Sequence, residues 1–371
     1  MVSAIVVGGA VAGLGAARAL ANAGAQVTVL ERRPAGAGEG AGLLIYPAAW
    51  RALDQLGLLG AFRPVAVPLD GIATFDQGGK VLTFLDVRRF EEKYGYPLGG
   101  VHRGDLLHTL LFGAEADIRH GIEVNGLEVG DRVTVQTGQG SLDSDVLVGA
   151  DGIHSRVREA LHLGHGPRRS GYVAWRGVAP QAPEKFSAAT AGIVLGAGRH
   201  GGWVPVSGGR VYWFLTGDEG EEPAAARALD AVRGWSGPLP GLVAATKPEE
   251  VLFNELIDRD PDPRWGIGPI TLAGDAAHAM LPSLAQGANQ ALEDACALLG
   301  AVRQHGINAS GFRSYESARQ KRTARLVRMS RQILPVFQWR RASARAQRAA
   351  LLALPPQLSQ WQMEWLYRGD R

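Results

Sequence analysis

The first 31 residues leave this chain few ways to fold. Ser3 to Val7 is a short β-branched run, followed by Gly8-Gly9-Ala10-Val11-Ala12-Gly13 and an alanine-rich helical stretch to Ala23. Gly24 closes that helix, and a second strand, Gln26 to Leu30, ends in Glu31. Strand, turn, helix, strand and acid in this order read as a βαβ unit carrying the dinucleotide fingerprint G-x-G-x-x-G, with Ala10 at the middle glycine. The physics survives that departure. Gly8 permits the tight turn, Gly13 lets helix and strand approach, and the helix N-terminus offers bare N–H groups to a pyrophosphate. Glu31, with Arg32 beside it, stands where a carboxylate accepts both ribose hydroxyls. The bland alternative is a doubly wound domain that binds no nucleotide.

A second match is a decoy. Gly196-Ala197-Gly198-Arg199-His200-Gly201 fits G-x-G-x-x-G letter for letter, but Trp203 to Val206, a Gly-Gly turn and Val211 to Leu215 follow it. Those are strand and hairpin signals, and a phosphate site needs a helix there. The chain start resembles a secretion signal only superficially, because no basic residue precedes its apolar run. No run approaches the ~18 apolar residues of a membrane span. Cys296 is the one cysteine among 371 residues, which excludes an internal disulfide framework and any multi-cysteine metal site. No metal is expected, and a cytoplasmic setting fits.

Two further segments carry chemistry. Val146-Leu-Val-Gly-Ala-Asp151-Gly152-Ile-His-Ser155-Arg156 is an apolar strand ending in Asp-Gly and opening into a helix. Ile270-Thr-Leu-Ala-Gly274-Asp275-Ala-Ala-His278, continuing through Pro282 to Gln286-Gly287-Ala288-Asn289, is a strand, an acidic turn and a loop that runs into another helix. Asp275 and Asp151 could each be simple helix caps. His278 reads as packing beside the loop, and Cys296 as a small buried side chain.

Together with the first fingerprint, and with Arg103 in Val101-His-Arg-Gly-Asp-Leu-Leu-His-Thr-Leu110, these segments resemble the class A flavoprotein monooxygenases, which share the para-hydroxybenzoate hydroxylase fold and include salicylate, 3-hydroxybenzoate and urate hydroxylases. Ala10 and Ala285 stand where glycine is usual in that family, a small-for-small exchange that leaves the reading intact. The resemblance implies an α/β fold, mixed with α+β character: a Rossmann-like FAD-binding domain interleaved with a β-sheet substrate domain, and a helical C-terminal part. It implies non-covalent FAD in the first fingerprint and NADH or NADPH with O2 as co-substrates. It also implies hydroxylation of a small aromatic or heteroaromatic substrate through a flavin C4a-hydroperoxide. In this reading Gly8, Gly13, Glu31, Arg32, Arg103, Asp151 and Asp275 hold the cofactor, and the helix opening at Gly287, Ala288 and Asn289 faces the flavin pyrimidine edge. Its bare N–H groups and dipole would stabilise the negative charge of the reduced ring.

The nucleotide domain is expected at 1–70, 98–168 and 268–310, the sheet domain at 71–97 and 169–267, and the helical segment at 311–371. That last part reads as helical to about Arg348, then broken at Pro355-Pro356 before Trp361 to Tyr367. The expected substrate pocket, closed by the Met280–Gln286 loop, draws on Tyr46, Trp175, Trp203, Tyr212 and Pro282. Tyr212 and His200 are the candidate catalytic groups, and the arginine of the urate-hydroxylating subgroup falls near His200. Ten arginines and one lysine between Arg313 and Arg348 face a single acid, Glu316. They read as a solvated helix face on which Arg319, Arg322 and Arg325 matter little to turnover, and no nucleic-acid partner is expected. Alternatives kept open are an epoxidase or other flavin oxidoreductase on the same fold and, from another class, a non-catalytic FAD-fold binding protein. A monomer or a homodimer fits equally.

Overall fold

A computed structural model describes residues 1–35, 41–181, 183, 189–341 and 364–369. Four strands stack around Ser3–Val7 in a parallel five-stranded sheet, in the order Ile270–Leu272, Val146–Gly149, Ser3–Val7, Gln26–Glu31, Ala116–His120. The inner strands are almost wholly apolar because helices cover both faces, as parallel sheets require. Helix Val11–Asn22 packs against helix Gly287–His305, where Gly15 approaches Ala295 and Leu14, Ala291 and Leu298 are buried.

The second large sheet is seven-stranded and mostly antiparallel, in the order Leu252–Asp258, Arg168–Ala179, Val211–Asp218, His200–Pro205, Thr190–Leu195, Gly71–Asp76, Val81–Asp86. The strand signals at 203–206 and 211–215 therefore do fall in one sheet, beside Arg168–Ala179. The decoy glycines form the hairpin between Thr190–Leu195 and His200–Pro205, where the Gly196 N–H donates to the Arg199 carbonyl at 3.0 Å.

A three-stranded antiparallel sheet, Gly42–Ile45, Gly99–His102 and Ala66–Pro68, sits where the two large sheets meet. Its backbone lies against the seven-stranded sheet: a Cβ on Gly100 would stand 2.0 Å from the Pro205 carbonyl oxygen.

Helix Ala309–Phe337 is capped by Asn308, whose side chain accepts the N–H groups of Ser310 and Gly311. It ends eleven residues before Arg348; the break at Pro355-Pro356 and Trp361 lie outside the described residues. The solvated-face expectation fails on this helix. Arg319 and Arg322 are 2% and 4% exposed. A full positive charge is tolerated there because carboxylates on the neighbouring helix meet it. Arg325 does lie at the surface, over the Trp365 ring at 4.1 Å.

Candidate functional site

Gly8 has φ +108°, and a Cβ there would stand 2.3 Å from the Ala150 carbonyl oxygen. The first turn thus presses against the start of the Asp151-Gly152 loop. Ala10, the N-cap of helix Val11–Asn22, has no side chain to cap it, and the first intrahelical bond starts at Leu14. Nothing among the described residues takes the N–H groups of the first turn, so they remain available to an anion. Glu31 stands beside them. Its Oε2 accepts the Gly9 N–H at 2.6 Å, and Oε1 accepts the Arg33 N–H at 2.9 Å and Nε at 3.0 Å. Burial pushes its carboxyl up, but these bonds outweigh that and hold the pKa below the ordinary glutamate value. Arg33, not Arg32, makes the contact; Arg32 is exposed.

Asp151 spends one oxygen on its own helix: Oδ2 accepts the N–H groups of Arg156 and Val157 at 2.7 and 3.2 Å. Its Oδ1 is buried without a partner. The helix starts at Arg156, and the Ser155 side chain caps it by accepting the Arg158 N–H. Arg103 opens helix Arg103–Leu111. Burial lowers its pKa, as do the guanidiniums of Arg33 and Arg176, while Asp275 and Glu31 oppose them. Arg103 is therefore within electrostatic reach of the other four side chains, and the space among them is the candidate cleft.

Asp275 follows Gly274, where a Cβ would stand 2.5 Å from the Cβ of Ala12. The third motif is thus seated on the first helix. The side chain is open to the cleft, and burial of its surroundings raises the carboxyl pKa, against the pull of His278 and Arg103 and with a push from Asp294. A Cβ on Gly287 would stand 4.0 Å from Asp275 Oδ1, so the next helix begins beside it. Gln286, its N-cap, gives no side-chain cap, and the first helical bond starts at Gln290. The Asn289 side chain does not face outward: it accepts the Tyr46 N–H and donates to the carbonyls of Leu44 and Ala285, each at 2.8 Å. What that helix can offer a ligand is the backbone of Gly287 and Ala288. Ala285 has φ +51°, left-handed backbone in which alanine is strained and glycine is not, so the exchange is less neutral than it looked in the sequence.

Behind this loop lies an ionic network the sequence reading missed. Asp294 accepts the Gly274 N–H at 2.9 Å, His278 Nε2 at 2.6 Å and Arg319 Nε at 2.9 Å. Burial pushes its carboxyl up, but His278, Arg319 and the Gly274 N–H hold it at about 2. Arg319 and Arg322 both reach Glu293 at 3.2 Å, and Arg322 donates to the carbonyls of Trp365 and Leu366. The arginine-rich helix thus braces the cofactor loop from behind. The available signal was the spacing: Gln290, Glu293 and Asp294 on one helix face, Arg319 and Arg322 on one face of the next.

Strand register sorts the expected pocket residues. Val204 pairs with Tyr212, and Trp203 with Trp213. Trp175 pairs with Leu215, two residues from Trp213 on the same face. Trp175, Trp203 and Trp213 therefore point to one face, where they pack with Leu239, Leu242 and Val243. Tyr212, Phe214, Val204 and Arg176 point to the other, which meets Gly42, Tyr46 and Ala285. Trp175 and Trp203 are thereby removed from the pocket, since successive strand residues face opposite ways.

His200 is 4% exposed, its Nδ1 2.9 Å from Thr216 Oγ1 and its ring against Phe214 and Phe337. It lies four residues along the strand from Val204, the partner of Tyr212, about 13 Å away. The two expected catalytic groups are not together. Tyr46 is buried too; its hydroxyl donates to the Leu284 carbonyl at 3.2 Å, burial pushes its pKa up to about 12, and its ring stacks on Tyr367. It braces the Met280–Gln286 loop. Pro282 is exposed on that loop, and Tyr212 is half-buried facing it.

A bare helix N-terminus beside Glu31, a second bare N-terminus beside Asp275, and an aromatic sheet face opposite them make a site suited to a dinucleotide cofactor and a flat ring. The FAD binding domain family model matches residues 1–330, and the chain belongs to that family. It is 33% identical to 3-hydroxybenzoate 6-hydroxylase 1 of Aquipseudomonas alcaligenes, over 98% of this chain and 96% of that protein. It is 35% identical to 3-amino-4-hydroxybenzoate 2-monooxygenase of Streptomyces cremeus, over 90% and 86%. The crystal structure of Klebsiella pneumoniae HpxO complexed with FAD and uric acid superposes with a TM-score of 0.89 at 27% identity, covering 99% of this chain and 97% of that one. These relatives are flavoprotein monooxygenases, and this chain is one of their family. No described helix is long and apolar enough to cross a membrane.

Proposed function

We propose that this enzyme hydroxylates a small aromatic substrate, using FAD, NAD(P)H and O2, in the space between the Tyr212 face of the sheet and the Met280–Gln286 loop. The observation that carries the reading is the convergence of two uncapped helix N-termini, at Val11 and Gly287, with Glu31, Arg103 and Asp275 in one cleft. This donor set fits FAD. The N–H groups at Val11 would take the pyrophosphate and Glu31 the adenosine ribose. Arg103 and Asp275 would lie along the ribityl chain, and the helix at Gly287 would face the pyrimidine edge. When bound, FAD supplies the redox chemistry that joins NAD(P)H to O2.

The chain's own residues do the rest. The Asp294–Arg319 network keeps Gly274 and Asp275 in place. The loop anchored by Tyr46 and Asn289 excludes water, and Tyr212 fixes the orientation of the ring. In this reading the chain divides into a nucleotide domain (1–70, 98–168, 268–310), a sheet domain (71–97, 169–267) and a C-terminal segment (311–371), with the substrate site between the two large sheets. Tyr212→Phe should keep FAD and NAD(P)H oxidation while several-fold less of that oxidation ends in product, because one orienting bond is worth about 0.5–1.5 kcal/mol. The measurement is hydrogen peroxide and hydroxylated product per NAD(P)H. An unchanged ratio and KM would remove Tyr212 from the site.

A further inference from the structure

The segment 364–369 is remote in sequence from every nucleotide motif, yet it packs against the loop that closes the candidate site. Leu366 shares one buried apolar cluster with Leu284 of that loop and Leu326 of helix Ala309–Phe337, and Met280 and Trp365 pack against it. Tyr367 is 1% exposed; its ring stacks on Tyr46 at 5.3 Å and also meets Phe90 at 4.2 Å. Tyr46 in turn donates to the Leu284 carbonyl, so a single ring stands between Tyr367 and the loop. Ala285 and Tyr212 border the same cluster.

Buried charge fastens the segment. Arg322 donates to the carbonyls of Trp365 and Leu366 at 3.1 and 3.3 Å and reaches Glu293, the acid it shares with Arg319. Carbonyls at the end of one helical turn have no partner within it, and the guanidinium supplies one. Lys93 pairs with Glu364, and a Cβ on Gly369 would stand 2.7 Å from the Cβ of Ala48. The Tyr367 hydroxyl, by contrast, is buried with no hydrogen-bond partner among the described residues. Such a group loses its hydration and gains no bond, so the ring is held by its faces and not by its oxygen.

We propose that Tyr367 is a positioning residue for the hydroxylation: through Tyr46 it fixes the loop that closes the substrate site and so keeps water from the reacting ring. This rests on the reading of the site as a flavin site closed by that loop. Without the Tyr367 ring, Tyr46 and the Leu284 carbonyl lose their backing, while Glu31, Arg103 and Asp275 keep their places. NAD(P)H oxidation then continues, and less of it ends in product.

The test uses the FAD-loaded full chain with Tyr367→Phe and Tyr367→Leu. Phe90→Leu loosens the same ring and serves should Tyr367→Leu fail to fold. Iodide quenching of the bound flavin's fluorescence reports how open the cofactor is to water. Hydrogen peroxide and hydroxylated product per NAD(P)H are measured with 3-hydroxybenzoate, 3-amino-4-hydroxybenzoate and uric acid as probes. Tyr367→Phe should match the wild type in both measurements. The two leucine variants should raise iodide quenching and the peroxide share several-fold, with the KM for NAD(P)H unchanged.

Wild-type quenching and peroxide share in the leucine variants would overturn the proposal, as would a loss confined to thermal stability. A Tyr367→Phe variant that behaves like Tyr367→Leu would also overturn it, because the hydroxyl would then be the working part. If none of the three probes is hydroxylated, iodide quenching decides alone. A chain that takes up no FAD would instead overturn the functional reading beneath the proposal.

Discussion

The first βαβ turn and the helix pair Gly287–His305 and Ala309–Phe337 serve one cleft by opposite means. The turn works through its backbone: bare N–H groups at Val11, a glycine at φ +108°, and one acid, Glu31, held ready by Gly9 and Arg33. The helix pair works through buried side-chain charge, with Asp294 gathering a loop N–H, a histidine and an arginine. Backbone donors are satisfied by a ligand and tolerate small side-chain changes. A buried ionic network is satisfied internally, and each member depends on the others. The contrast says where the chain should be fragile in folding and where in cofactor binding.

Arg319→Leu should break the comparison hardest. It takes from Asp294 its arginine and leaves Glu293 with Arg322 alone, at a cost of about 3–5 kcal/mol, and the loop at Gly274 should loosen with it. Urea unfolding and FAD content check this together; wild-type stability would show that the network contributes nothing. Glu31→Ala addresses the other region. It removes charge-assisted bonds worth about 1.5–3 kcal/mol each, so FAD affinity should fall 10-fold or more while the apoprotein stays folded. Flavin retained at full affinity would end the assignment of Glu31.

Acid should separate the regions further. Because the folded-state pKa of Asp294 lies near 2, below the ordinary 3.8, the stability it contributes is present above about pH 4 and lost as the pH falls toward 2. Asp294→Asn should start less stable at pH 6 and lose less between pH 4 and 3 than the wild type, as followed by urea midpoints. Parallel curves would count against the lowered pKa.

Smaller effects sharpen the picture. Ala285→Gly relieves a left-handed alanine and should stabilise the loop by about 1 kcal/mol, visible as slower thermal loss of flavin. Arg325→Gln removes only a cation over the Trp365 ring, about 0.5 kcal/mol, and turnover should not change. A large loss there would mean that the outer face of the helix also matters.

What was legible in the sequence follows the same division. The Gly8 turn, the Asp151 and Gly274-Asp275 loops and the rejected decoy at Gly196 could all be read, because each depends on neighbours within a few residues. Of the residues expected in the pocket, Tyr212 lies on the sheet face that meets Gly42, Tyr46 and Ala285, whereas Trp175 and Trp203 point away. Their aromatic character suits either face, and the pairing register that decides between them leaves no local trace. His200 is packed by Phe337, which arrives from the last helix and leaves no local trace in the strand's sequence. Arg319 and Arg322 looked like a solvated face because a basic helix and its acidic partner are separated in sequence.

By itself, the sequence determined the nucleotide-binding unit, the order of the three motifs and the family of flavoprotein monooxygenases, since backbone geometry at glycines and strand-to-helix turns is written locally. Only the tertiary structure decided which sheet face meets the cleft and which arginines are buried in ion pairs. Burial and pairing of charge depend on segments dozens of residues apart meeting in space.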